Sequence, residues 1–413
     1  MVNKALLFFT ILITLLYSTG YSAEYMIHNQ DAAAVAMGNS FTAIANNASA
    51  VFYNPAGINQ LEGTRLRAGI HLVRPDVSFK GAQSQQRADM HDDISFVMMG
   101  YLTHKVNDKI SIGGGIFSPF VLLTEWPNQW EGNTVSTFAM LRTYCANPVV
   151  SIQVNPHLSL AVGLDYVYSD FKLRRVMGPK QRPGIPLPIS SVKVTLDGFD
   201  DTWGYNLGLL LHLNDRWTLG IAYRSKLKLE FDGHAHYRLG PVLQALYPPS
   251  DISPRIYLPP AVSADLSLRI WEKWTFATGI TWTGWSVYDE FDPKLKNSLL
   301  IPPAMRSAPQ DWRDVLSLHF GAQYQLNPAW AFRGGYIYDR SPVPEHTLGP
   351  MVPDSDGHLL CLGIGYTRGN FLIDVGCMIT LMQDRHTRRN LDGLNGKYNF
   401  TVISVLISST YYF

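Results

Sequence analysis

From about residue 64 to its end, the chain alternates between apolar residues and polar or small residues with a period of two. The alternation continues without a break in several long segments, including 262–270, 315–324 and 371–380. A tilted strand that crosses a bilayer needs about 9–11 residues, whereas strands in soluble proteins average about five or six. Strands of this length and period predict a membrane β-barrel with one face toward lipid and one toward the lumen.

The connections between these segments alternate between short and long. Short ones such as 155–157 and 214–216 are followed by long ones rich in proline and glycine, such as 177–189 and 239–260. Periplasmic turns and extracellular loops of outer-membrane barrels differ in length in the same way. The segments between the connections predict an all-β fold, a transmembrane antiparallel β-barrel of about 14 strands.

Residues 24–63 lack the period-two pattern and precede the first predicted strand. An alanine-rich stretch at 31–37 predicts two helical turns that end in a left-handed cap at Gly38. Asn54 and Pro55 suit the start of a second helical segment, because asparagine caps free N–H groups and proline at the first position loses no hydrogen bond. The sequence therefore predicts a small helical hatch, residues 24–63, inside the lumen of a barrel formed by residues 64–413.

The composition agrees with a membrane protein that is exported. Charged residues make up 16% of the chain, against about 25% in an average soluble domain. No apolar run after residue 20 approaches the ~20 residues that a spanning helix needs. Residues 1–23 place Lys4 before a short apolar core and predict a cleaved signal peptide. The last strand alternates and ends in Phe413, which resembles the signal that the barrel-assembly machinery of the Gram-negative outer membrane reads.

Other features exclude several functions. A net charge of +1 argues against a nucleic-acid surface. The three cysteines, Cys145, Cys361 and Cys377, lack the spacing of a zinc site or a disulfide framework, although one bridge such as Cys145–Cys361 stays open. The sequence has no motif of a serine hydrolase, a zinc peptidase or a phosphate-binding enzyme, so no catalytic residue, metal or cofactor is predicted. An outer-membrane lipase remains an alternative, because barrel strands bring distant serine and histidine residues together.

A group of basic residues on one predicted strand alternates toward the lumen: Arg224, Lys226 and Lys228, with Lys172 and Arg174 as further members. One interpretation is a solvated lumen wall. The other is a docking site for the carboxylate of an apolar ligand, whose chain would gain about 0.8 kcal/mol per buried CH₂.

The third predicted strand ends in an unusual stretch that contains Gly113, Gly114, Gly115, Phe117 and Ser118, followed by Pro119. Glycine weakens a strand, and proline prevents continuous ladder bonding. The stretch predicts either a bulge near a loop or a break in the barrel wall through which an apolar solute leaves sideways.

Several blocks of the chain together resemble one family, the FadL/TodX-type transporters of long-chain fatty acids and hydrocarbons in the Gram-negative outer membrane. The most specific block is the segment 47–57, which contains Asn54, Pro55 and Ala56. Further matching blocks are 32–38, 75–77, 124–126, 147–148, 200–205, 220–226, 282–286 and 339–344. The resemblance covers essentially the whole mature chain.

The resemblance implies a 14-stranded barrel closed by a hatch that carries the Asn54-Pro55-Ala56 element. It also implies that a hydrophobic ligand enters a groove among the extracellular loops, including 239–260, and leaves through an opening beside residues 113–118. The expected function is passive transport of hydrophobic molecules by a monomer in contact with outer-membrane lipids, including lipopolysaccharide. A general porin and a surface adhesin or receptor are the alternatives, and the sequence leaves open whether fatty acids or hydrocarbons are carried.

Overall fold

The computed structural model describes residues 26, 28–177, 192–238, 249–294 and 307–413. Two short helices, α1 (Ala32–Ala36) and α2 (Ala50–Tyr53), and a 3-10 helix (Pro55–Gln60) precede the sheet. A further 3-10 helix covers Trp285–Val287. None of the helices in the described ranges is long and apolar enough to cross a membrane. The predicted signal peptide lies outside the described residues.

The described strands are β1 (Thr64–Gly81), β2 (Arg87–Asp89), β3 (Ser95–Lys105), β4 (Ile110–Phe117), β5 (Val121–Glu125), β6 (Phe138–Asn155), β7 (Leu158–Met177), β8 (Val192–His212), β9 (Trp217–Arg224), β10 (Leu227–Glu230), β11 (Asp232–Arg238), β12 (Ser250–Ile252), β13 (Arg255–Leu258), β14 (Ala261–Ile270), β15 (Trp274–Thr283), β16 (Glu290–Phe291), β17 (Ala308–Pro309), β18 (Val315–Gln325), β19 (Trp330–Asp339), β20 (Gly357–Arg368), β21 (Phe371–Met382), β22 (Arg385–Thr387) and β23 (Gly396–Tyr412).

These strands form a closed antiparallel barrel with 14 spanning strands, which confirms the predicted fold. Three of the spanning strands are interrupted: β4 continues as β5, β9 continues through β10 to β11, and β12 and β13 lead into β14. The last strand, β23, pairs with β1 in unbroken register from Arg65–Tyr412 to Gly81–Gly396. This pairing leaves no unpaired edge between the first and the last strand, where lipid would fail to satisfy free N–H and C=O groups.

The period-two pattern separates the two faces of the wall. On β20, Leu360 and Leu362 are 51% and 70% exposed on the lipid-facing side, whereas Leu359 and Cys361 are buried toward the lumen. Large exposed apolar side chains follow the same alternation on β6, β7, β18 and β21. A soluble protein would not tolerate a continuous apolar surface of this kind.

The lumen is filled by the N-terminal segment. Helix α1 packs against β19, β20, β21 and β23, and the 3-10 helix Pro55–Gln60 packs against β4, β6, β7 and β8. The α1 helix ends as expected, because Gly38 follows it with a φ of 61°. We refer to residue 26 and residues 28–60 together as the hatch, and to residues 26 and 28–30 as its N-terminal segment.

Candidate functional site

Asn54 fixes the fold of the hatch and ties it to the wall. Its side-chain oxygen accepts a hydrogen bond from the backbone N of Ala56 (3.2 Å) and caps the 3-10 helix that begins at Pro55. Its Nδ2 donates to the carbonyl oxygens of Thr42 (2.8 Å) within the hatch and Leu209 (2.9 Å) on β8. The one side chain of Asn54 therefore provides hydrogen bonds to a helix end, to a neighbouring turn and to a partly buried wall carbonyl.

A buried ion network holds the other end of the hatch. Asp31 caps α1 through the backbone N of Ala33 and Ala34, and its second carboxylate oxygen pairs with Arg67 on β1. Arg67 also pairs with Asp374 on β21 (2.8 Å), and Asp374 in turn pairs with Arg333 on β19 (2.8 Å). Because every buried charge here has an opposite partner, the network fixes α1 to three wall strands without leaving a charge uncompensated.

Glycines of the wall make room for the hatch backbone. A methyl group added to any of them would overlap hatch atoms: at Gly208 the side chain of Asn54, at Gly220 the carbonyl of Thr42, at Gly321 the carbonyl of Met37, at Gly335 the backbone N of Gly38, and at Gly376 the carbonyl of Ala32. Glycine inside a strand often marks such a close backbone approach. These strand glycines are visible in the sequence, but the alternation of apolar and polar residues does not reveal what they contact.

The third spanning strand is broken after the glycine run. Gly113, Gly114 and Gly115 lie within β4 and pair normally with both β3 and β6. The break comes at residues 118–120, three residues that oppose only two residues of β6. Thr143 on β6 hydrogen-bonds both the backbone N and the carbonyl oxygen of Phe120. The wall is therefore interrupted a few residues beyond the glycines.

Beyond the break, β5 pairs with β6 but has no ladder with β3. Residues 95–99 of β3 thus pair with β1 on one side and, among the described residues, with no strand on the other. We call the space between residues 95–99 and β5 the wall gap. Its lower rim is the Gly100–Ile116 pair, its upper rim is a hydrogen bond from the backbone N of His91 to the carbonyl of Glu125 (2.9 Å), and Val97 and Val121 pack across it.

The N-terminal segment lies against the break from inside the barrel. Met26 forms an isolated β-bridge with Phe120, and the side-chain amide of Gln30 donates to the carbonyl of Ser118 (2.8 Å). Tyr101 on β3 donates its hydroxyl to the carbonyl of Gln30 (3.0 Å). The hatch and the broken strand are therefore in direct contact.

A cavity of about 480 Å³ lies toward the extracellular loops. Its wall is mostly apolar and includes Leu122 of β5, Tyr288 and Trp312. The ring of Trp312 lies 5.0 Å from that of Trp285, which lies 6.4 Å from that of Phe120 at the break. We call this space the outer cavity; an aromatic contact chain connects it with the broken strand.

The predicted cations do not form one group. Lys172 borders the outer cavity, and so do Arg175 and Asp392, which the sequence reading did not single out. Arg174 does not line it: its guanidinium lies 4.1 Å from the ring centre of Phe138 and pairs with Glu125 (3.3 Å).

The prediction of a continuous lumenal stripe on the strand of Arg224 is wrong. Arg224 ends β9 and pairs with Asp165 in the lumen (2.6 Å). The strand is then interrupted, and the buried positions change parity, so that Leu227 and Leu229 turn inward and Lys228 outward, where it pairs with Glu230 (3.0 Å). Lys226, in the interruption, lies 5.0 Å from the ring centre of Tyr257. An irregularity of one residue reverses every later side chain, which alternation alone does not reveal.

No arrangement of His, Cys, Asp and Glu in the described part of the chain is suited to holding a metal ion. Cys145 is a free, buried thiol, so the bridge to Cys361 that the sequence left open is not formed.

The closed barrel, the filled lumen and the lipid-facing apolar wall define an outer-membrane β-barrel with an internal hatch. The sequence model described as "Outer membrane protein transport protein (OMPP1/FadL/TodX)" matches residues 14–411, and the chain belongs to this family. The family consists of outer-membrane transport proteins and not of enzymes, as the sequence predicted.

Relatives match along most of their length. The chain is 25% identical to the "Long-chain fatty acid transport protein" of Salmonella typhi over 382 residues, which is 87% of this chain and 86% of that protein. It is also 25% identical to the "47 kDa outer membrane protein" of Pasteurella multocida over 390 residues, or 87% and 89% of the two chains.

Solved structures share the fold. A Pseudomonas aeruginosa FadL homologue superposes with a TM-score of 0.81 at 21% identity, over 94% of this chain and all of that chain (100%). The Pseudomonas putida toluene transporter TodX superposes with a TM-score of 0.72 at 17% identity, over 95% and 99% of the two chains.

Proposed function

We propose that the protein carries small hydrophobic molecules passively across the outer membrane. In this proposal the ligand binds in the outer cavity, the hatch moves, and the ligand leaves sideways through the wall gap into the bilayer. The wall gap is the observation that carries the proposal: a barrel whose lumen is filled needs an exit that does not run straight through it, and at the wall gap the neighbouring strands β3 and β5 are not joined by a ladder. A general porin is disfavoured because the hatch fills the lumen that its solutes would need.

The outer cavity suits an apolar ligand. Its volume of about 480 Å³ lies within the ~300–1,000 Å³ usual for small-molecule pockets. Burial of apolar ligand surface there contributes about 25 cal/mol per Å². Lys172, Arg175 and Asp392 at its border are the charged groups that would orient a polar head.

The names of the relatives supply the cargo classes for the proposal. The Salmonella typhi relative is called a long-chain fatty acid transport protein, and the Pseudomonas putida structure is that of a toluene transporter. We infer that this chain carries long-chain fatty acids or hydrocarbons.

The hatch gates the path in this proposal. Met26 and Gln30 contact the broken strand directly, so the N-terminal segment has to leave Phe120 and Ser118 before a ligand passes the gap. The Asn54-Pro55-Ala56 element keeps the 3-10 helix that begins at Pro55 on the wall meanwhile. No energy source is required, because transfer from water to the bilayer is favourable for an apolar molecule.

The remaining partners belong to the same proposal. The protein acts as a monomer in contact with outer-membrane lipids, including lipopolysaccharide, through its exposed apolar belt. The barrel-assembly machinery recognises the last strand, β23, which pairs with β1 and is followed by Phe413.

A reversible lock across the wall gap tests lateral exit. Val97→Cys and Val121→Cys are combined in a chain whose three native cysteines are replaced by alanine, because these two side chains meet across the gap. Oxidation to the disulfide is expected to reduce uptake of radiolabelled oleate and toluene by at least ~10-fold in cells, and a reductant restores it.

A matched pair, Ile70→Cys with Ile407→Cys, crosses the closed β1–β23 ladder and should leave uptake unchanged on oxidation. Uptake at the unlocked rate by the oxidised gap variant would show that lateral exit is wrong. Large steady ion conductance of the unmodified protein in planar bilayers would instead favour the porin.

A further inference from the structure

The side chain of Arg224, the last residue of β9, contacts the hatch, the broken strand and β7. Its Nη1 pairs with Asp165 on β7 (2.6 Å), and its Nη2 lies 3.4 Å from the carbonyl oxygen of Phe52 in α2. The guanidinium carbon lies 5.0 Å from the ring centre of Phe52 and 5.3 Å from that of Phe117, the last residue of β4.

Asp165 makes this arrangement rigid. Its second oxygen accepts a hydrogen bond from Nδ2 of Asn206 on β8 (3.1 Å) and lies 3.5 Å from Sγ of Cys145 on β6. The carboxylate and the guanidinium are almost completely buried, at 2% and 12% exposure. The charge of Arg224 is therefore compensated within the wall.

The rings on which Arg224 lies belong to two parts that move separately in the proposed function. Phe52 belongs to the hatch and Phe117 directly precedes the break, and their rings also touch edge to face at 5.1 Å. A planar guanidinium attracts aromatic faces and keeps its hydrogen-bonding edge for a carboxylate, which the compact ammonium of lysine does not do as well. Displacement of Phe52 removes one support of Phe117 while Arg224 remains on the wall.

We propose that Arg224, anchored by Asp165, is a positioning residue that couples the position of the hatch to the closure of the broken strand, and that it is not a ligand for a substrate head group. This inference rests on the proposed function. While Phe52 is seated, Arg224 keeps Phe117 inward and residues 118–120 closed. When the hatch moves, Phe117 is released and the wall gap widens.

Cys145 is a native reporter of this closure. It lies directly opposite Phe117 in the β4–β6 register and is 1% exposed. In a Cys361→Ala/Cys377→Ala background, a water-soluble thiol reagent should label Cys145 slowly, and addition of oleate or toluene should accelerate labelling. Coupling is measured as the ratio of the rates with and without substrate.

Arg224→Gln is expected to raise the basal labelling rate at least ~10-fold and to bring the substrate ratio to about one. Arg224→Lys keeps the charge near Asp165 but loses the planar stacking. Its ratio of labelling rates with and without substrate should therefore lie between those of Arg224→Gln and the parent. Phe117→Leu leaves the ion pair intact and tests the same coupling if Arg224→Gln does not assemble. Arg269→Gln, at an exposed arginine of β14, is the matched control and should label as the parent does.

Parental labelling and a parental substrate ratio in both Arg224→Gln and Phe117→Leu would overturn the coupling. The coupling would also be overturned if the ratio of labelling rates with and without substrate were no higher in Arg224→Lys than in Arg224→Gln. That result would show that the planar stacking of Arg224 on the two rings has no role. If the parent protein takes up neither oleate nor toluene, the proposed function fails. If the parent takes them up and Arg224→Gln responds to substrate as the parent does, the coupling alone fails.

Discussion

The hatch is attached to the barrel in two very different ways. On the α1 side, Asp31 and Arg67 form a fully buried ion pair, and wall glycines allow the backbone of the hatch to touch the wall. On the side of the broken strand, the N-terminal segment is held by one β-bridge, by hydrogen bonds of Gln30 and by packing.

The difference indicates which part of the hatch is anchor and which part moves. Breaking a buried ion pair leaves an uncompensated charge, whereas single hydrogen bonds and ring contacts contribute only about 0.5–1.5 kcal/mol each. Segments that open locally come from the least stable end of a structure. We therefore expect the N-terminal segment to move first while α1 remains in place.

The largest expected effect comes from Arg67→Met, which leaves Asp31 and Asp374 buried without their shared partner. Loss of a buried pair's partner typically costs about 3–5 kcal/mol. We expect the hatch to become protease-sensitive and the unfolding temperature to fall, as measured by limited proteolysis and by heat-modifiable gel mobility. Arg74→Met on the same strand breaks only the exposed pair with Asp92 and should change neither. Equal behaviour of the two variants would refute a special anchor on the α1 side.

Gly335→Ala tests the close contact between the hatch and the wall on the α1 side. A methyl group there overlaps the backbone of Gly38 and Met37, and overpacking of this kind costs about 1–3 kcal/mol. At the neighbouring Gly334 the nearest atom to an added methyl is Cδ2 of Leu362 at 3.8 Å, so Gly334→Ala should be nearly neutral. Thermal unfolding in detergent measures the stability of the two variants. If Gly334→Ala lowered the unfolding temperature as much as Gly335→Ala does, close packing of the hatch on this strand would be contradicted.

The smallest expected effect is the pH dependence of the seating of the N-terminal segment. Burial, together with the charge of Arg224, lowers the pKa of His28 to about 4, against about 6.5 for a released segment. The neutral side chain therefore favours the seated segment, so its contribution is full above pH 6.5 and is lost as pH falls toward 4. Protease cleavage within residues 26–30 should increase over this range, and His28→Gln should remove that increase. A pH-independent cleavage rate in the parent would show that His28 does not report seating of the segment.

Much of the fold was predictable because lipid imposes a simple rule on the sequence. Every lipid-facing position has to be apolar and every second residue faces lipid, so the strands, the 14-strand barrel and the lipid-facing side of β21 follow from alternation. The local hatch structure was also predictable: Gly38 and Asn54 act as caps in the conformations that their residue types favour. The weak stretch of the third strand was predicted over residues 113–118 from its glycines and the following proline; the glycines pair normally, and the strand is interrupted only at residues 118–120.

The positions of the cationic side chains could not be predicted from the alternation. A one-residue irregularity after Arg224 reverses the faces of β10, and nothing in the alternation of residues 217–231 marks its position. Arg174 and Lys172 lie only two residues apart, yet only Lys172 borders the outer cavity, whereas Arg174 lies on the ring of Phe138. The cavity is formed partly by loop residues, whose positions the alternation does not give.

By itself, then, the sequence determined the two faces of uninterrupted strands such as β21, the number of spanning strands and the caps at Gly38 and Asn54. These are properties of near neighbours in the chain, and they follow from backbone geometry and from the solvent on each side. Only the tertiary structure decided that Asp31 pairs with Arg67, that Arg224 pairs with Asp165, and that Phe52 meets Phe117. Those partners are brought together by barrel closure and strand register, and contacts of such long sequence separation leave no local pattern.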